Sequence, residues 1–104
     1  MKNVYAIIDY NKTAHTEPVI KDIYATEELA VEQLRRWRKA IEAGKWDGAT
    51  FVEWHDSDAK EVTWMRITRK GYRHFAEGTT LFLEKHCYSV EPVPMIETED
   101  DLTD

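Results

Sequence analysis

The sequence predicts an α+β domain: a mainly antiparallel sheet, with elements in the order β-β-α-β-β-β and one amphipathic helix packed on one face. Three observations lead there. Apolar residues alternate at a spacing of two from Val4 to Tyr10 and again in the runs Thr50–His55 and Glu61–Thr68. Between these, Ala30, Leu34, Trp37 and Ile41 recur at i, i+4, i+7 and i+11, which is one stripe of a helix. The connections are short and polar, and short non-helical links join antiparallel strands, not parallel ones.

Val4, Ala6, Ile8 and Tyr10 alternate with Tyr5, Ile7 and Asp9. Both sets are largely apolar, so the first strand, residues 3–10, reads as buried on both faces or central in the sheet. Asn11–Pro18 is a polar loop, and Val19, Ile20, Ile23 and Tyr24 form a second strand at 19–24 that returns antiparallel. Thr26 is placed to cap a helix at 27–43, with Glu27 and Glu28 at the positive end of its dipole and Lys39 and Lys45 toward the other. Leu29 lies beside the apolar stripe, and Gly44 is a left-handed stop. A turn at 45–49 containing Asp47-Gly48 leads to the third strand, 50–55. The polar turn Asp56–Lys60 joins it to the fourth, 61–68. Arg69–Gly78 fits a loop, a short turn of helix or an edge segment. Thr79–Val90 is the last strand, stopped by Pro92 and Pro94, which cannot donate to a ladder.

The runs VYAIIDYN and VIKDIYATEELAVEQL combine a strand, a return strand, a Thr cap with two Glu and a small-residue helix. Over about the first 45 residues this resembles a pattern common among short orphan accessory proteins of phages and prophages. The resemblance implies a small binding protein, often a host-directed inhibitor, and carries no catalytic motif with it.

At 104 residues the chain has room for one core, at 1–93. No stretch approaches the roughly 20 apolar residues of a membrane span, and Met1–Tyr10 is too short and polar for a signal peptide. With a single cysteine, Cys87, the expectation is an unprocessed cytoplasmic protein, in host cytoplasm if phage-encoded, with no disulfide. The net charge is −6, unevenly spread. Residues 1–93 hold all 14 basic groups and 15 of the 20 acidic ones. Residues 94–104 hold Glu97, Glu99, Asp100, Asp101 and Asp104 with no base, which reads as a disordered, solvated tail.

Chemical motifs are missing. His15, His55, His74 and His86 lack metal-ligand spacing, and neither phosphate-binding glycine pattern occurs. His86 and Cys87 are adjacent on a strand and point to opposite faces, so they form no dyad. Asp56 and Asp58 lie in a turn too short for a calcium loop. The expectation is no enzyme, no cofactor and no metal.

Two binding readings stand. On the third and fourth strands Val52 shares a parity with Trp54, and Val62 with Trp64, while Phe51, Met65 and Ile67 take the other. One helix covers one sheet face, so the apolar groups on the second face meet a protein partner or a second copy, or are covered by Arg69–Gly78 with Tyr72 and Phe75 as a lid. The candidate partner-binding set is Trp54, Trp64, Phe51, Met65, Tyr72, Glu97, Glu99, Asp100 and Asp101. The leading expectation is a non-enzymatic inhibitor or adaptor that blocks a host protein by occupying its surface. The alternative is a nucleic-acid-binding module that uses Arg35, Arg36, Arg38, Arg69, Lys70 and Arg73, with the tail as internal competitor. Against it, the helical bases interleave with Glu27, Glu28, Glu32 and Glu42, and a near-neutral body makes a weak positive field. A homodimeric structural protein is the third class.

Overall fold

A computed structural model describes residues 2–14, 16–56 and 62–102. The chain runs β1 (Asn3–Asn11), β2 (Val19–Tyr24), α1 (Glu27–Glu42), β3 (Ala49–His55), β4 (Trp64–Phe75) and β5 (Gly78–Pro94), followed by a 3-10 turn at Glu99–Asp101. The strands form one sheet in the order β2-β1-β5-β4-β3, with every neighbouring pair antiparallel. This is the predicted α+β class, and α1 covers one face.

Residues opposite one another in the ladder share a face. Ile7 faces Val90, and Met65 faces Tyr88. These four meet Ala30, Val31, Leu34 and Ile41 of α1 in the core, and Ile67 joins them. Each Val, Leu, Ile or Met among them contributes roughly 1.5–3 kcal/mol when withdrawn from water. The helix starts where predicted: the Thr26 hydroxyl accepts from the Leu29 amide at 3.3 Å. It ends at Gly44, whose φ of +72° suits a residue without Cβ. There Lys45 N donates to Ala40 O at 2.9 Å, closing the helix with the wider bond of a Schellman turn.

Three sequence expectations change. The last strand does not stop at Val90; it continues to Pro94, pairing Pro92 with Tyr5 and Pro94 with Asn3. Val90 N donates sideways to Thr63 O at 2.9 Å. Pro92 and Pro94 share its parity, so their missing N–H groups fall on the side where β4 has not yet begun, and the ladder to β1 loses nothing.

The second change concerns Arg69–Gly78, which is neither lid nor helix. β4 and β5 pair continuously out to Phe75 opposite Gly78, around a two-residue turn at Ala76-Glu77. Beyond the ends of β1 and β3 this pair projects alone as a two-stranded arm, which accounts for the 57 × 33 × 21 Å shape. The third change is a bulge at Val52: Phe51 pairs with Ile67 and Glu53 with Arg66. The extra residue reverses the parity, so Phe51 and Trp54 lie together on the core side. Residues 57–61, which hold most of the Asp56–Lys60 turn and the predicted strand start at Glu61, fall outside the described residues, while Val62 and Thr63, expected in the fourth strand, lie outside it. The fourth strand is observed from Trp64.

After β5, Met95 N donates to Lys2 O at 2.8 Å. The Asp101 carboxylate then accepts from the amides of Glu97 and Thr98, at 3.1 and 3.3 Å. No helix among the described residues is long and apolar enough to cross a membrane.

Candidate binding surfaces

The sheet face away from α1 carries two apolar islands. In the first, Ile20 lies beside Ile8, and Ile23 beside Ala6, on the β2 edge. Ile20 and Ile23 are 55% and 60% exposed. The second is on the arm, where Tyr72 pairs with Leu81 and Leu83 lies opposite Lys70; Tyr72, Leu81 and Leu83 are all more than half exposed. Between the islands runs a polar band. Tyr10 donates to Glu91 at 2.6 Å, which together with burial raises the Tyr10 hydroxyl to about 12. Arg66 pairs with Glu53 and lies over Trp64, and Trp64 stacks on His55 at 5.1 Å. Lys12, Arg66, Thr68, Lys85 and the bulged Val52 line a pocket of about 280 Å³ in this band.

The candidate residues are not brought together. Met65 is fully buried in the core. Phe51 and Trp54 are half-buried on the helix side, beneath the Arg38 guanidinium at 4.2 and 5.8 Å. Trp64 and Tyr72 face the other way, Trp64 on the body and Tyr72 on the arm. Glu97, Glu99, Asp100 and Asp101 follow the end of β5, and Asp101 is engaged in its own turn.

The bases are dispersed as well. Arg35 reaches Asp56 at 4.0 Å, Arg36 reaches Glu32 at 3.4 Å and Arg38 reaches Glu42 at 2.9 Å. Arg69 and Arg73 take the helix side of β4, Arg73 over Phe82 at 4.8 Å, whereas Lys70 takes the opposite side.

Two further groupings were not anticipated. His86 is nearly buried, with Nδ1 at 2.8 Å from Asp9 and Nε2 at 3.0 Å from Glu84, and Asn11 also donates to Glu84 at 3.0 Å. The two carboxylates sit at opposite ends of the ring and cannot converge on one ion. No group of three or more His, Cys, Asp or Glu suited to a metal occurs among the described residues. Cys87 points to the other face, and burial pushes its thiol up, away from the thiolate a nucleophile needs.

The second grouping is a groove of about 440 Å³ on the helix side, lined by Lys21, Trp37, Lys45, Trp46, Asp47, Arg69 and Tyr88. Trp37 and Trp46 lie 5.7 Å apart and tilted to one another, and each lies edge-on to Tyr88, at 5.7 and 6.2 Å. Trp37 is readable in the sequence as part of the helical stripe. Lys21, Lys45 and Trp46 are not, because irregular backbone places them. No family model matches the chain, and neither does any curated protein or solved structure.

Proposed function

We propose that this chain is a small non-enzymatic protein-binding module, an inhibitor or adaptor of the kind the phage-type resemblance implies, which acts by covering the surface of a host protein. The observation that carries the reading is the bare apolar side chains opposite the helix, above all Tyr72, Leu81 and Leu83 on an arm that projects from the body. Such a ribbon buries little against its own domain, and aromatic and aliphatic groups at its tip suit the desolvated centre of an interface. Lys70, opposite Leu83, and Lys85, the next residue of that face on β5, lie beside them, so the complementary surface is apolar with acidic groups around it. The acidic residues after β5 would engage a basic groove on the partner, such as one that holds nucleic acid. The nucleic-acid alternative ranks second, because three of its six bases pair with acids on α1 or at Asp56 and the other three divide between two faces.

The test is affinity capture from host lysate with and without nuclease, comparing the native chain with a Leu81→Lys/Leu83→Glu variant. The reading expects a nuclease-resistant protein that the variant fails to retain. Capture that depends on nucleic acid, or capture of the same protein equally by both chains, would overturn it. Sedimentation of the free chain as a dimer that the variant abolishes would favour the homodimer instead.

A further inference from the structure

The groove between the end of α1 and the sheet is built by three separate backbone irregularities. β2 carries a bulge: Asp22 pairs with Ile7 and Ile20 with Ile8, leaving Lys21 as the extra residue. Bulges re-aim side chains, and here Lys21 joins the helix-side lining. The left-handed Gly44 turns the chain out of α1, so that Lys45 and Trp46 fold back beside Trp37. A second left-handed glycine, Gly48 at φ +74°, then sends the chain into β3, with Ala49 N bonded to Trp46 O at 3.1 Å and Lys70 N to Gly48 O at 2.9 Å. The Trp46 carbonyl is thereby tied to the start of β3. Arg69 enters from β4, one step beyond the core residue Ile67, with its guanidinium 5.8 Å from the Trp46 ring.

The result is two half-buried indole rings over a buried Tyr88, rimmed by three cations, Lys21, Lys45 and Arg69, and one acid, Asp47. Its volume lies within the roughly 300–1,000 Å³ usual for small-molecule sites. The positive rim is a local concentration on a body whose 14 basic and 15 acidic groups nearly balance. A ligand matched to this lining has a flat apolar portion for the indoles and a compact anion for the cations, with hydroxyls or an amine for Asp47. We propose that this groove is a nucleotide site: the base lies against Trp37 and Trp46, the phosphate is held by Lys21, Lys45 and Arg69, and Asp47 accepts from the sugar. This function is additional to protein binding, on the opposite face of the sheet, and stands or falls independently of it.

The experiment is titration of the full chain with AMP and UMP, followed by tryptophan fluorescence and calorimetry, with adenosine and inorganic phosphate as half-ligands. A 5′-phosphorylated oligothymidylate distinguishes a free nucleotide from the end of a nucleic-acid strand. The proposal expects saturable quenching by a nucleoside monophosphate with a Kd of about 1 mM or tighter, and at least about ten-fold weaker binding of either half-ligand. Lys45→Ala, at an exposed position after the helix, and Arg69→Ala should each weaken binding several-fold and flatten its salt dependence. Tighter binding of the oligonucleotide than of UMP assigns the site to strand ends, and the reverse order assigns it to free nucleotides; either keeps the site. No saturation up to about 5 mM of any nucleotide, or saturation that Lys45→Ala and Arg69→Ala both leave unchanged with urea midpoints intact, overturns it.

Discussion

Tyr88 ties the core to the groove, and its hydroxyl gives an alkaline signature that can be worked out in advance. Burial, reinforced by the nearby Asp9 carboxylate and opposed by Arg69, pushes the phenol up to about 12 from its ordinary 10.0. The folded state therefore holds this proton after the unfolded chain has released it. The stability it contributes is complete below about pH 10 and is lost as pH climbs to about 12. At pH 11 the unfolded chain gains about 1.4 kcal/mol from ionising a phenol of pKa 10, while the folded chain gains less than about 0.1 kcal/mol. Tyr88→Phe removes this one difference and leaves the other tyrosines in place. It also changes the neutral-pH stability through the lost hydroxyl, so the comparison is between slopes. Urea unfolding of both chains at about pH 8 and pH 11, followed by far-ultraviolet circular dichroism, should show the native chain losing about 1.4 kcal/mol more than Tyr88→Phe over that interval. Equal losses would refute the argument that Tyr88 is held neutral by its surroundings.

Two other outcomes follow from the packing. Leu34 is fully buried beneath α1, so Leu34→Ala should cost roughly 2–5 kcal/mol in chemical denaturation, and a cost under about 1 kcal/mol would mean that the helix is not seated on the sheet. Thr26→Ala removes the hydroxyl that accepts from Leu29 and should cost about 1 kcal/mol, read from the same urea curves; Thr26→Ser should restore most of it.

The class and order of the fold could be read from the chain because they rest on periodicity. The α1 stripe, its Thr26 cap and its Gly44 stop are local signals, and local signals survive translation into three dimensions. Parity across a whole strand is different. An unbroken spacing of two puts Trp54 with Val52, and one unpaired residue at Val52 moves Trp54 to the side of Phe51. Lys21 was displaced in the same way, by a bulge the sequence does not announce. The arm was ambiguous because its pattern is set by pairing with the next strand and not by burial: Gly71 interrupts the alternation, and the Phe82 ring opposite occupies the space a side chain there would need. Trp46 lies in a turn, where no period marks it, and only the folded chain brings it against Trp37 and Arg69.

The two prolines near the end of β5 also restrict how chains can meet. Among the described residues, the side of β5 that outruns β4 has no neighbouring strand, and such a side would ordinarily offer amide hydrogens to any passing strand, an invitation to edge-to-edge aggregation. With Pro92 and Pro94 at the alternate positions that would donate there, the stretch can accept but cannot offer. A visiting strand finds an incomplete template at this edge. Among the described residues, strand addition to the body is thus left to the outer edges of β2 and β3.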